Sequence, residues 1–199
     1  MPLFFRNGLA AVGLELPRIA GWSNCKTFAC VAAGATASIF ADPFEIHIKD
    51  CHSCDAERPH TERTKIGVAQ HLLELSRVAQ GTGQRAAEAS FEIANGLYNI
   101  SSYGNARSLK GADFGSNVYS VESSNMDLVE KYYLQAASLS SDREFKAKAL
   151  FMASKAEQNR NFYTNPRTYF AQLKSQFSDT QYYQEIVREC GYFKAYLER

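Results

Sequence analysis

AAEASFEIANGLYNISSY, residues 86–103, sets alanines and large aromatics three, four and seven positions apart. That spacing lines them up on one stripe of a helix. The texture returns in MDLVEKYYLQAASL (126–139), EFKAKALFMASKAEQNR (144–160) and YFAQLKSQFSDTQYY (169–183). Small residues let neighbouring helices approach, and aromatics fill the gaps, which is how stacked helical hairpins bury a core. The expected fold class is therefore all-α: a stack of about three antiparallel helical hairpins, preceded by an irregular or extended N-terminal segment.

Working outward, a first helix is expected over about Thr64 to Gln80, with Ile66, Ala69, Leu72, Leu73, Leu75 and Ala79 inward and Gly81-Thr82-Gly83 as its stop. The second spans about Gln84 to Tyr103 and ends at Gly104. A polar loop rich in Ser, Gly and Asn follows from Asn105 to Asn125, long for a helix–helix connection. The third helix covers about Met126 to Leu139. Ser141 to Glu144 reads as a capping box opening a fourth, about 142–160. Asn165-Pro166 marks the start of a fifth, with Asn as cap and Pro at the first helical position, running to about Phe177. Ser178 to Gln181 caps a sixth that continues towards Leu197, with a break at Gly191.

Three segments follow from this texture. Residues 1–40 have little helical periodicity and few charges, and read as an arm or export-signal-like segment outside the main core. Thr27 to Ala41 is apolar but rich in Ala, Gly and Thr, too short and weak to span a bilayer. Residues 41–63 read as a short extended piece, because Phe44, Ile46 and Ile48 alternate with Glu45, His47 and Lys49. Residues 64–199 form the helical domain.

Net charge is +1, from 22 basic and 21 acidic residues, so no strong basic field draws nucleic acid. No phosphate loop, nucleophile elbow or helical two-histidine zinc motif is present. The sharpest chemical constellation lies in the extended piece. His47, Cys51, Cys54 and His60 fall at spacings that would let thiolates and imidazoles close on zinc. Cys51-His-Ser-Cys54 also fits a dithiol–disulfide pair, although Asp50, Asp55 and Glu57 would raise the thiol pKa values. A local disulfide, or two unlinked cysteines, is the plain alternative. Haem attachment is excluded because Asp55, not histidine, follows Cys54. The five cysteines rule out a complete intrachain disulfide framework.

The aromatic stripe, including Tyr98, Tyr132, Tyr133, Phe145, Phe151, Tyr169 and Phe170, reads as inter-helix packing and not as a ligand pocket. His71, among leucines, reads as a partly buried or helix-boundary histidine. At the end of the second helix Asn99, Ser101, Ser102, Asn105 and Arg107 form a polar cluster, of which Asn99, Ser102, Asn105 and Arg107 would line a partner-binding edge with the long loop. A solvated helix terminus is the competing account.

Phe91, Ala94, Asn95 and Tyr98, then Val129, Tyr133 and Ala136, resemble the two helices of a tetratricopeptide repeat, with Asn95 where a small residue is usual. Ala149, Met152, Ala153 and Ala156, with YFAQLKSQFSDTQYYQE after them, look like a second unit. The likeness covers roughly 84–190, and the loop at 105–125 departs from the family's period of about 34 residues. DPFEIHIKDCHSCD and LYNISSYGNAR are also similar to parts of bacterial proteins with such repeats. The resemblance implies a right-handed stack that binds a protein or peptide, is not an enzyme and needs no cofactor. It points to the bacterial cell envelope or periplasm over the cytoplasm. The family's clamp for a partner's C-terminal carboxylate is not expected, since Glu92 and Gly96 hold its places. The runner-up is a zinc or thiol-redox module centred on Cys51 and Cys54.

Overall fold

The computed structural model describes residues 38–39, 42–46, 63–101, 103–106, 118–161, 164 and 166–198, with backbone alone at 38–39 and 118–125. It is mostly helical. Two short strands, β1 (Ser38–Ile39) and β2 (Arg63–Thr64), form one antiparallel bridge, Ser38 opposite Thr64 and Ile39 opposite Arg63. Seven helices are described: α1 (Lys65–Val78), α2 (Gly83–Ile100), α3 (Val118–Leu139), α4 (Arg143–Arg160), α5 (Thr168–Gln176), α6 (Gln181–Glu189) and α7 (Gly191–Leu197).

α1 starts where the Thr64 hydroxyl accepts from Gly67 N at 3.1 Å, filling one of the free N-terminal amides. Its buried face is Val68, Leu72 and Leu75, with Ala79 just beyond. Ile66, expected inward, is exposed instead: the stripe runs through 68, 72 and 75, and 66 falls off it. α2 stops at Ile100, three residues short of the expected end, because Ser101 turns back to Tyr98 through both its N–H and its hydroxyl. α3 begins at Val118, inside the stretch expected to be a loop. Ser and Asn between 118 and 125 are weak helix formers, so propensity does not announce that turn.

Packing runs in chain order, α1 on α2, α2 on α3, α3 on α4, then α5 and α6 on α4 and α7 on α6. Ser140, at the end of α3, donates to Gln84 at the start of α2 at 2.6 Å, so α3 runs back along α2. Arg160 at the end of α4 reaches Asp127 and Glu130 in α3 at 2.6 and 3.0 Å, so α4 runs back along α3. Phe91 of α2 meets Phe145 of α4 and Tyr133 of α3, both at 5.3 Å between ring centres. One contiguous core results, and the stripe aromatics Tyr98, Tyr133, Phe151 and Phe170 are all buried in it, as packing residues.

Helix starts differ from the expected boxes in an informative way. Asp142, not Ser141, caps α4, its carboxylate accepting from Glu144 N at 2.9 Å. Glu144 does not reach back. Its two oxygens accept from Gln181 N and Tyr182 N at 2.9 Å each, capping α6 from another helix. A carboxylate at that N-terminus is also favoured by the helix dipole. α5 opens at Thr168, with Arg167 in the cap position, later than Asn165-Pro166 implied, and Asn165 lies outside the described residues. α6 is capped by Thr180, and the chain breaks at Cys190 before α7, where Gly191 was expected to interrupt it. Glu144→Ala should therefore destabilise the chain by about 1–2 kcal/mol, whereas Ser141→Ala should change it by less than about 0.5 kcal/mol. Urea denaturation of the two variants checks this, and equal effects would contradict the inter-helix cap.

Burial also raises phenol pKa values. Tyr133 is held well above its ordinary value by burial and then by Tyr98 and Tyr182. Tyr169 is raised by burial and by its bond to Glu130, and Tyr132 and Tyr183 are raised by burial. A phenol kept neutral in the folded chain ionises more easily once unfolded. The stability these groups supply is complete below about pH 10 and is lost as pH rises from there towards their folded values. In an alkaline titration, phenolate absorbance should rise together with loss of the helical circular-dichroism signal. Ionisation of all eleven tyrosines near their ordinary value, with helix intact, would contradict it.

Candidate functional site

A ladder of polar groups lies on α2 and the turn after it. Asn95 and Asn99 stand four residues apart, hence one above the other on the helix, and both are buried. Facing them is the turn Asp42-Pro43-Phe44-Glu45, more than fifty residues earlier. Asp42 closes this turn: its carboxylate accepts from Phe44 N at 3.1 Å and its carbonyl from Glu45 N at 3.4 Å. Asp and Pro in the first two places are what such a turn favours. The alternation of Phe44 and Ile46 therefore does not produce an extended strand over 42–45.

Four successive carbonyls of the turn are held by three asparagine amides. Asn105 Nδ2 donates to Asp42 O at 3.1 Å. Asn99 Nδ2 donates to Pro43 O and Glu45 O, both at 2.8 Å. Asn95 Nδ2 donates to Phe44 O at 3.0 Å. Asn95 is itself fixed by the Tyr133 hydroxyl of α3, which donates to its Oδ1 at 2.7 Å. Asn105 also reaches Glu45 Oε2 at 3.4 Å.

The Phe44 ring occupies a notch beside this ladder. Gly96 forms its floor: a Cβ there would lie 2.9 Å from Phe44 Cε1 and 3.1 Å from Leu72 Cδ2. His71 meets the ring edge-on at 4.9 Å, and the Arg63 guanidinium lies 5.0 Å from its centre, a cation–π placement. Arg63 also pairs with Asp42 at 3.2 Å. His71 is anchored by Glu92 at 2.7 Å. Glu92 and Gly96, read from sequence only as the absence of a carboxylate clamp, thus shape the notch. Gly104 brings Asn105 round: a Cβ at 104 would sit 2.1 Å from Asn99 Cα, so only glycine lets the chain pass there.

Of the expected partner-binding cluster, Asn99 and Asn105 come together on this turn, while Ser102 and Arg107 lie outside the described residues. So do His47, Cys51, Cys54 and His60, the expected metal ligands. Among the described residues, no group of three or more His, Cys, Asp or Glu side chains is placed to hold a metal, and no helix is long and apolar enough to cross a membrane. Sequence reasoning missed Asn95, taken as a substitute for a small packing residue, and missed Arg63. The available signal was an amide repeated at i and i+4 inside an otherwise apolar helix.

A second polar cluster ties α3, α4 and α5. The Tyr169 hydroxyl donates to Glu130 Oε1 at 2.8 Å, and Arg160 pairs with Glu130 and with Asp127. Its groups are bonded to one another across three helices, which suits a structural tie. No protein-family model, curated protein or solved structure matches the chain.

Proposed function

We propose that the chain is an interaction scaffold of the helical-repeat type, binding a peptide or partner segment on the face of α2, with no catalytic step. The observation that supports this reading is the asparagine ladder. Amides that grip consecutive backbone carbonyls recognise the path of a chain, and a notch beside them selects a side chain, which is the division of labour in peptide recognition. The tetratricopeptide-like reading draws support from the helix directions: α3 back along α2, α4 back along α3, and α2 beside α4 through Phe91 and Phe145. In such stacks the repeated first helices line the binding face.

The test is panning of a displayed library of short random peptides on the folded chain. Enrichment of a shared pattern is the expected result. A library that yields nothing above background on chain shown to be folded by circular dichroism, both with residues 42–45 tethered and with them cut free of the helices, removes the reading.

A further inference from the structure

The geometry points to a specific ligand class for this site, and the inference rests on the scaffold reading above: the ladder and notch recognise a turn of the form Asp-Pro-aromatic-acidic on a partner protein, and residues 42–45 are the resident copy. Three of the four side chains of the turn, all but Pro43, are met by a group of the site. Arg63 faces the Asp42 carboxylate at 3.2 Å, and the Phe44 ring fills the space above Gly96 between Leu72, His71 and Arg63. Asn105 lies against the Glu45 carboxylate at 3.4 Å. The other amide contacts go to carbonyls that any sequence carries. All of these groups lie far along the chain from the turn, so a turn presented by another protein would meet the same partners. A segment on the same chain competes at an effective concentration on the order of millimolar. The resident turn therefore masks the site until it is displaced or cut loose.

The experiment uses the full chain with a protease-recognition sequence inserted between Glu57 and Arg58, before and after cutting. The probe is a fluorescent peptide of residues 40–47, FADPFEIH. Cutting should tighten peptide binding at least tenfold, because the resident turn is no longer tethered. The same peptide carrying Phe44→Ala should bind at least tenfold more weakly than the parent, and Asp42→Asn should weaken it measurably. Equal binding before and after cutting overturns the inference. So does no binding to a cut chain that stays helical. Loss of helix when the N-terminal piece is removed also overturns it, because the turn would then be a fixed part of the core. The peptide library is panned on the cut chain as well as the intact one: a different enriched pattern leaves the scaffold reading standing after these failures, whereas a library empty on both forms removes that reading itself.

Discussion

Phe151→Ala lowers the stability of the chain by about 3–5 kcal/mol, the range for truncating a fully buried aromatic. Phe151 sits on α4 with no exposed surface. Its ring stacks with Phe170 of α5 at 6.4 Å and meets Tyr182 of α6 edge-on at 6.1 Å. Phe170 in turn contacts Phe193 of α7 at 4.9 Å. One ring thus joins α5 and α6 to α4, with α7 packed on Phe170 behind it, and its removal leaves a cavity that neither helix can close without moving. The melting temperature should fall by about 10 °C for a chain of this size. Hydrogen exchange should show the loss first over 168–197, with α2 protected for longer, because α2 is held mainly by α1 and α3. Phe151→Leu, which keeps most of the volume, should cost less than about 1.5 kcal/mol. A loss below about 1 kcal/mol for the alanine variant would mean that α5 and α6 are not held on α4 as described.

The helices are legible in sequence because their cause is local. Periodic small and aromatic residues bury one stripe wherever the chain places them, and Thr64, Thr180 and Asp142 cap helices within a few residues of themselves. Errors arise where the partner is remote. Glu144 reads as half of a local capping box, yet its carboxylate serves α6, 37 residues on. Ile66 looks inward until the rest of the stripe is fixed. The candidate site was half legible for the same reason. Asn99 and Asn105 stand out as polar residues at a helix end, but the groups that give them meaning lie 54 to 63 residues earlier. Asn95 is the clearest case: inside a helix, a buried amide and a small packing residue occupy the same place in the pattern. Only the opposing hydroxyl and carbonyl distinguish them.

That distinction is measurable. Asn95→Ala removes the donor to Phe44 O and the acceptor for the Tyr133 hydroxyl, at a residue 3% exposed beside one with no exposure. Each buried polar group left without a partner costs about 1–3 kcal/mol, so the expected loss is about 2–5 kcal/mol. Tyr133→Phe alone removes the donor to Asn95 Oδ1 and should cost about 1–2 kcal/mol. The double variant no longer carries the stranded hydroxyl, and should be no less stable than Asn95→Ala alone, which gives a coupling of about 1–2 kcal/mol. Asn95→Asp has nearly the same shape but cannot donate to Phe44 O when ionised, and it places a charge in the core. It should be at least as damaging as alanine. Denaturant unfolding of the four chains supplies the test. Additive losses would mean that Tyr133 does not hold Asn95, and an aspartate variant as stable as the parent would mean that the amide does not grip the turn. In either case the ladder would be ordinary helix packing, and the face of α2 would lose the feature that marks it for recognition.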